Sequence, residues 1–253
     1  MTSDQAAHKT APVTAAVLVI GDEILSGRTK DKNIGYIADY MTNIGIDLRE
    51  VRIVPDVMED IVAALNALRA RYTYVFTTGG IGPSHDDITA DAVAQAFGVE
   101  LYEDQRIIEA MLTRIKPEDL NASRRRMARV PQGGDLVPNP VNKIPGFRIA
   151  NVIVMAGVPM IMQAMLDGVA PTLETGVKLT MTAIEADAPE GAYAAALGDI
   201  ARVHEALSIG SYPSYVDGKF KNQIIVRGHD PQEVAVTVGE VEQMLEILRA
   251  ARG

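Results

Sequence analysis

The sequence has no cysteine in its 253 residues. That excludes disulfides, cysteine-ligated zinc, iron–sulfur clusters and a thiol nucleophile, and it fits a reducing cytoplasm. An excess of positive charge is missing too: 24 Lys and Arg stand against 33 Asp and Glu, for a net charge of −9. Such a balance argues against nucleic acid or an anionic membrane as partner, because nonspecific affinity for phosphate backbones comes from Lys and Arg. The longest apolar stretch, Val152 to Leu166, is shorter than a membrane span and is broken by Gly157 and Pro159. Residues 1–12 hold Asp4, His8 and Lys9 and no apolar core of secretory-signal length, so they read as a disordered tail. The four histidines are scattered without the pair spacing of a zinc site. No repeat or low-complexity segment occurs. The expectation is a soluble, cytoplasmic protein.

What is present is an ordinary globular balance, 47% hydrophobic and 23% charged. Val13 to Ile20 is a continuous apolar, β-branched run, as in a strand buried on both faces. Helical spacing follows over Asn33 to Tyr40 and stops at Gly45; Ile46 to Val54 alternates like a strand. Asp56-Val57-Met58-Glu59 resembles a capping box opening a helix that carries Ile61, Leu65 and Leu68. Tyr74 to Thr78 predicts a strand and Ala90 to Phe97 a helix ended by Gly98. Arg106 to Lys116 and Glu118 to Arg129 predict two helices, Asn151 to Met155 a strand, and Met160 to Leu173 a helix. This alternation implies an α/β domain over residues 13–175 with a mostly parallel sheet covered on both faces, a three-layer arrangement. From 176 to 253 the pattern is strand, helix, two strands around a hairpin-like turn at Pro213–Gly218, and helix: a small α+β module.

The most informative segment is Thr77-Thr78-Gly79-Gly80-Ile81-Gly82-Pro83-Ser84-His85-Asp86-Asp87-Ile88-Thr89, on a strand-to-helix turn. Glycine lets backbone N–H groups approach a ligand closely, and a helix N-terminus suits a phosphate. Adjacent carboxylates in such a loop call for a bridging hard cation, Mg²⁺ or another divalent ion, held by Asp86 and Asp87 together with substrate phosphates. The same residues also suit a plain tight turn with Asp87 or Thr89 as a helix N-cap. His85 stands in the loop, either as a phosphate contact or simply in solvent.

Ligands of open α/β sheets bind beyond the carboxyl ends of the strands. Asp22, Glu23, Asp56, Asp86 and Asp87 are expected to meet there, and their mutual repulsion would require a cation or a metal–phosphate complex. Asp56 alternatively serves as an N-cap. Gly21 to Thr29 is no phosphate loop of the Walker type: five residues, not four, separate Gly21 from Gly27, and Arg28 stands where that motif has Lys. The basic run Arg124, Arg125, Arg126, Arg129 is either a solvated helix face or a local clamp on substrate phosphate or a neighbouring subunit.

Gly21-Asp22-Glu23-Ile24-Leu25-Ser26-Gly27 with Asp31 and Asn33, the Thr77–Thr89 run, and Pro138-Asn139-Pro140 with Pro145-Gly146-Phe147 resemble the molybdopterin-binding (MoaB/Mog) domain family. They are most similar to the amino-terminal domain of CinA and the related domain of some FAD synthases. The resemblance spans residues 13–175 and extends more loosely beyond. It implies Asp56 and Asp87 as the catalytic acidic pair. It also implies a ligand set of Gly21, Asp22, Glu23, Thr78, Gly79, Gly80, Gly82, Ser84, Pro138, Asn139, Gly146, Gly157 and Pro159. The implied activity is metal-dependent cleavage of a pyrophosphate in an ADP-ribose- or FAD-like dinucleotide. Two alternatives stand beside it: binding and adenylylation of molybdopterin in molybdenum-cofactor biosynthesis, and noncatalytic binding of a nucleotide or pterin. The last is motivated by two departures from the family: Asn142-Lys143-Ile144 replaces Gly-Thr-Ala, and Met160-Ile161 lacks the Glu that follows Pro-Gly-Val-Pro. The length is expected to leave no space for the deamidase domain of CinA. A homo-oligomer, dimer or trimer, is also implied, with Met160, Ile161 and Met165 as apolar surface candidates.

Overall fold

A run buried on both faces must be continuously apolar, and Ala15-Ala16-Val17-Leu18-Val19-Ile20 meets that condition: none of these residues is more than 3% exposed. It forms β1 (Thr14–Ile20), an interior strand of a mixed sheet. The computed structural model describes residues 12–216 and 219–251, so the tail predicted over residues 1–12 lies almost wholly outside the described residues. The chain divides into two compact units, one ending at Gly176 and the other beginning at Val177.

In the first unit β1 is followed by α1 (Asp22–Leu25), α2 (Ile34–Ile44), β2 (Asp47–Val54), α3 (Met58–Arg71), β3 (Tyr74–Thr78) and α4 (Thr89–Phe97). Next come β4 (Leu101–Glu103), α5 (Gln105–Leu112), α6 (Ala122–Arg126), β5 (Arg129–Pro131), β6 (Asp135–Val137), β7 (Gly146–Ile149), β8 (Val152–Met155) and α7 (Pro159–Val169). The sheet order is β2-β1-β3-β8-β7-β6. The first four strands run parallel, and β7 and β6 add antiparallel pairs at one edge. Alternate residues of β1 and β3 face opposite sides. Leu18, Ile20 and Val75 pack with Ile61, Leu65 and Leu68 of α3 and Val93 of α4. Val17, Val19 and Phe76 pack with Ile37 and Met41 of α2 and Met162 and Leu166 of α7. The result is the expected three-layer α/β arrangement.

Several local expectations differ. The capping-box reading of Asp56 fails: the N-cap of α3 is Val57, and no side chain caps it. The two helices expected between Arg106 and Arg129 shorten to α5 and the five-residue α6, because Asp104 caps at Arg106 N–H and Arg129 enters a strand paired with Glu103. Gly146 and Phe147 lie on β7, opposite Val137 and Leu136 of β6. Of the apolar surface candidates on α7, Met165 is fully buried and Ile161 half-buried, leaving Met160 exposed, because residues 162, 165 and 166 form the sheet-facing stripe.

The second unit contains β9 (Thr180–Ala186), α8 (Ala194–Val203), β10 (Ser208–Tyr212), β11 (Tyr215–Val216), β12 (Lys219–Phe220), β13 (Asn222–Gly228) and α9 (Pro231–Ala250). Its antiparallel sheet has the order β10-β13-β9, and β11 and β12 form a separate two-stranded ladder. Ile184, Ile224 and Val226 pack against Leu197 of α8 and Val234, Val241 and Leu245 of α9. Asp217 and Gly218 of the expected turn lie outside the described residues.

Candidate functional site

All four parallel strands end in turns that reach one another. After β1, Gly21 N–H donates to the Val54 carbonyl at the end of β2 (3.1 Å). The next amide, Asp22 N–H, donates to Asp56 Oδ2 at 3.0 Å, tying the turn after β1 to the turn after β2. After β3, Gly79 takes φ 101°, and a Cβ there would collide with the Ile20 carbonyl, so only glycine fits between β1 and the loop. Gly157, after β8, backs onto the Cα of Gly79. Its carbonyl accepts from Asn33 Nδ2 at 2.8 Å, which brings the start of α2 into the same assembly.

The loop itself is braced from within. Thr89 is the first residue of α4 rather than its cap. Its hydroxyl donates to the Gly79 carbonyl and its N–H to the Gly80 carbonyl, both at 3.0 Å. Asp87 is no N-cap either: its Oδ2 accepts from Ser84 N–H at 2.7 Å, closing a tight turn around His85 and Asp86, both exposed.

Ile20, Gly21, Glu23, Asp56, Gly80, Ser84, Asp86 and Asp87 line one cleft of about 200 Å³. The expected gathering of Glu23, Asp56, Asp86 and Asp87 is therefore observed, with Asp22 joined to Asp56 through its backbone. Burial pushes the Asp56 carboxyl above its ordinary value, the Asp22 N–H bond pulls it part of the way back, and the charges of Asp22, Glu23 and Asp86 push it up further. Among the described residues no three His, Asp or Glu side chains are grouped so as to hold a metal ion by themselves. The donor set is all oxygen, and it suits a hard cation held by one or two carboxylates that completes its shell with ligand phosphates.

The remaining predicted residues divide. Thr78 is 1% exposed and its hydroxyl has no partner, so it sits beneath the loop. Gly82 and Gly146 line a second, small cavity behind the loop. Pro159 begins α7 and lines neither cleft. Pro138 and Asn139 also line neither. Asn139 is consumed internally, with Nδ2 donating to Asn142 Oδ1 and the Ile144 carbonyl and Oδ1 accepting from Val141 N–H. It shapes its own turn instead of offering groups to a ligand. Sequence reasoning missed Asp91, which receives both Nη groups of Arg129 at 2.8 and 2.6 Å. No local pattern links two residues so far apart.

Residues 16–175 match the family described as "Probable molybdopterin binding domain", and residues 178–251 match "FAD synthase, middle domain". A CinA-like protein of Citrifermentans bemidjiense is 42% identical over 60% of this chain and 38% of its own length. A "Probable FAD synthase" of Caenorhabditis briggsae is 27% identical over 92% of this chain and 49% of its own length. The chain thus spans less than half of either relative. Among solved structures, that of the protein CinA of Thermoplasma acidophilum superposes with a TM-score of 0.60 at 30% identity, covering 64% of this chain and 98% of that one. No helix among the described residues is long and apolar enough to cross a membrane. The chain belongs to the molybdopterin-binding (MoaB/Mog) domain family, and a segment similar to the FAD synthase middle domain follows that domain.

Proposed function

We propose that the protein hydrolyses the pyrophosphate link of an ADP-ribose- or FAD-like dinucleotide. Water adds across one P–O–P bond and two phosphomonoesters leave. The observation that carries this reading is the joining of Asp56 to Asp22 in a carboxylate cleft that shares Gly80 and Asp87 with the phosphate-type loop. The Gly80–Gly82 amides and the start of α4 offer N–H groups to the diphosphate. Asp86 and Asp87 would hold a divalent cation. That cation, when bound, would neutralise phosphate charge and acidify water. Asp56, with its carboxyl raised by burial and by neighbouring carboxylates, is a stronger base than an ordinary aspartate and is placed to orient a water and take its proton. The similarity of 92% of this chain to a protein named "Probable FAD synthase" supports a flavin or adenine dinucleotide as ligand.

The test is incubation with ADP-ribose, with FAD, and with molybdopterin plus ATP, each with Mg²⁺ or with chelator, followed by chromatography. Release of AMP with ribose 5-phosphate or with FMN, lost on chelation, is expected. Adenylylated molybdopterin would favour the biosynthetic reading. Tight binding without any conversion would make the protein a noncatalytic binder.

A further inference from the structure

The four arginines after α5 do not share one fate. Arg124 Nη1 donates to the Asp119 carbonyl at 2.5 Å, Arg125 pairs with Glu103 at 2.6 Å, and Arg129 grips Asp91 with both Nη groups. Arg126 is different. Its Nη2 donates to the backbone carbonyl of Asp87 at 3.1 Å and lies 3.7 Å from Asp91, whose carboxylate Arg129 already occupies. Its Nε–H is buried and has no acceptor. The side chain as a whole is 34% exposed, so the guanidinium spans from interior to solvent.

Arg126 lines the small cavity behind the loop together with Gly80, Gly82, Asp87, Arg129 and Phe147. That cavity measures about 20 Å³, room for a single water-sized group. It shares Gly80 and Asp87, and no other residue, with the carboxylate cleft. One loop therefore has a negative face, with Glu23, Asp56 and Asp86, and a positive face, with Arg126. A group complementary to both carries oxygens of high negative charge on one side and binds a cation on the other. A diphosphate meets that description. A guanidinium stays charged at every physiological pH and matches phosphate geometry through its planar N–H fork.

We infer that Arg126 is a phosphate-binding residue: one phosphoryl oxygen of a diphosphate ligand enters the cavity behind Gly80–Gly82 and accepts from the guanidinium of Arg126. The same side chain fixes the Asp87 carbonyl, so binding at this point also steadies the carboxylate loop. The identification of the diphosphate as part of a dinucleotide rests on the hydrolase reading above; the anion site itself does not.

Calorimetric titration of the full chain with inorganic pyrophosphate, in chelator so that no metal bridge contributes, tests it. The wild type is expected to bind, R126Q to bind at least tenfold more weakly, and R126K to fall between them, because Lys keeps the charge and loses the fork. R125Q, which removes an equal charge paired elsewhere with Glu103, is expected to bind like the wild type. No binding by the wild type, equal binding by R126Q, or an equal loss in R125Q would overturn the inference. A melting scan without ligand accompanies each variant. If R126Q melts early, R126K decides, and unweakened binding by a folded R126K would overturn it. Arg126-dependent binding without dinucleotide cleavage would leave this site standing and remove the hydrolase reading; cleavage untouched by R126Q would do the reverse.

Discussion

Asp56 Oδ2 accepts the backbone N–H of Asp22 at 3.0 Å, so the turns after β1 and β2 are joined by a carboxylate rather than by packing alone. An asparagine could accept that bond equally well. What Asn cannot reproduce is the negative charge that Asp22, Glu23 and Asp86 oppose.

From this follows a pH dependence. The folded Asp56 carboxyl lies above its value in the unfolded chain, where the reference is 3.8. Below that reference both states are protonated and the folded form bears no penalty from this group. As pH rises from there through the raised folded value, the unfolded chain releases the proton first and stability is lost. Above both values the loss is complete and constant. D56N is therefore expected to melt at a higher temperature than the wild type at neutral pH, and the difference to shrink on acidification. Thermal scans of both proteins across that window check it; a wild type that outlasts D56N at neutral pH would contradict it.

Whether Asp56 is a helix cap or a site residue turns on the backbone of one position. Val57 is extended at φ −121°, ψ 126° and takes the cap position itself, a detail invisible in the capping-box pattern. Tyr74–Thr78, by contrast, was legible to the residue, because a strand buried on both faces must be continuously apolar or hydroxyl-bearing there. Leu101–Glu103 is too short to announce itself, and its partner Arg129–Pro131 is fixed by nonlocal pairing. The carboxylate cleft was readable because open α/β sheets gather the turns at their strand ends. The commitment of Arg129 to Asp91, which leaves Arg126 unpaired at Nε, was not, since it depends on the fold of the whole 101–131 stretch.

An expectation about assembly rests on the exposed apolar pair at the start of α7. Val158 is 56% and Met160 64% exposed. A homodimer or homotrimer that covers them is expected in solution, and light scattering at high micromolar concentration is the check. A monomer there would count against it. M160D should shift such an assembly toward monomer, and an unchanged mass would place the contact elsewhere.

Two glycines with positive φ separate conformational cost from steric cost. Gly98 ends α4 at φ 65° with nothing within 4 Å of an added Cβ. G98A should lose about 1–2 kcal/mol, the left-handed penalty alone. Gly79 adds a collision with the Ile20 carbonyl and borders Gly157. G79A should lose about 3 kcal/mol or more, since the clash is with backbone that cannot move aside. Urea denaturation of both variants gives the comparison; equal losses would mean that the loop yields more easily than its contacts imply.

The decisive pair for the chemistry is D87N and D56N. In D87N the bond from Ser84 N–H can survive on the amide oxygen, so the loop should stay closed and the melting temperature near that of the wild type. What would be lost, on the hydrolase reading proposed above, is a charged ligand for the cation beside the diphosphate. Loss of one such charge-assisted contact costs several kcal/mol at the transition state, roughly a hundredfold or more in rate. D56N should lose activity to a similar degree while gaining stability at neutral pH, because the burial and, after it, the neighbouring carboxylates that make Asp56 a stronger base also disfavour its charged form in the folded cleft. Were Asp56 only a structural tie to Asp22, Asn would keep the tie and turnover would survive. Rates and melting temperatures measured on the same D56N and D87N preparations separate these cases. Full activity of D87N on every dinucleotide that the wild type cleaves would remove Asp87 from the mechanism and leave the cleft as a binding site alone.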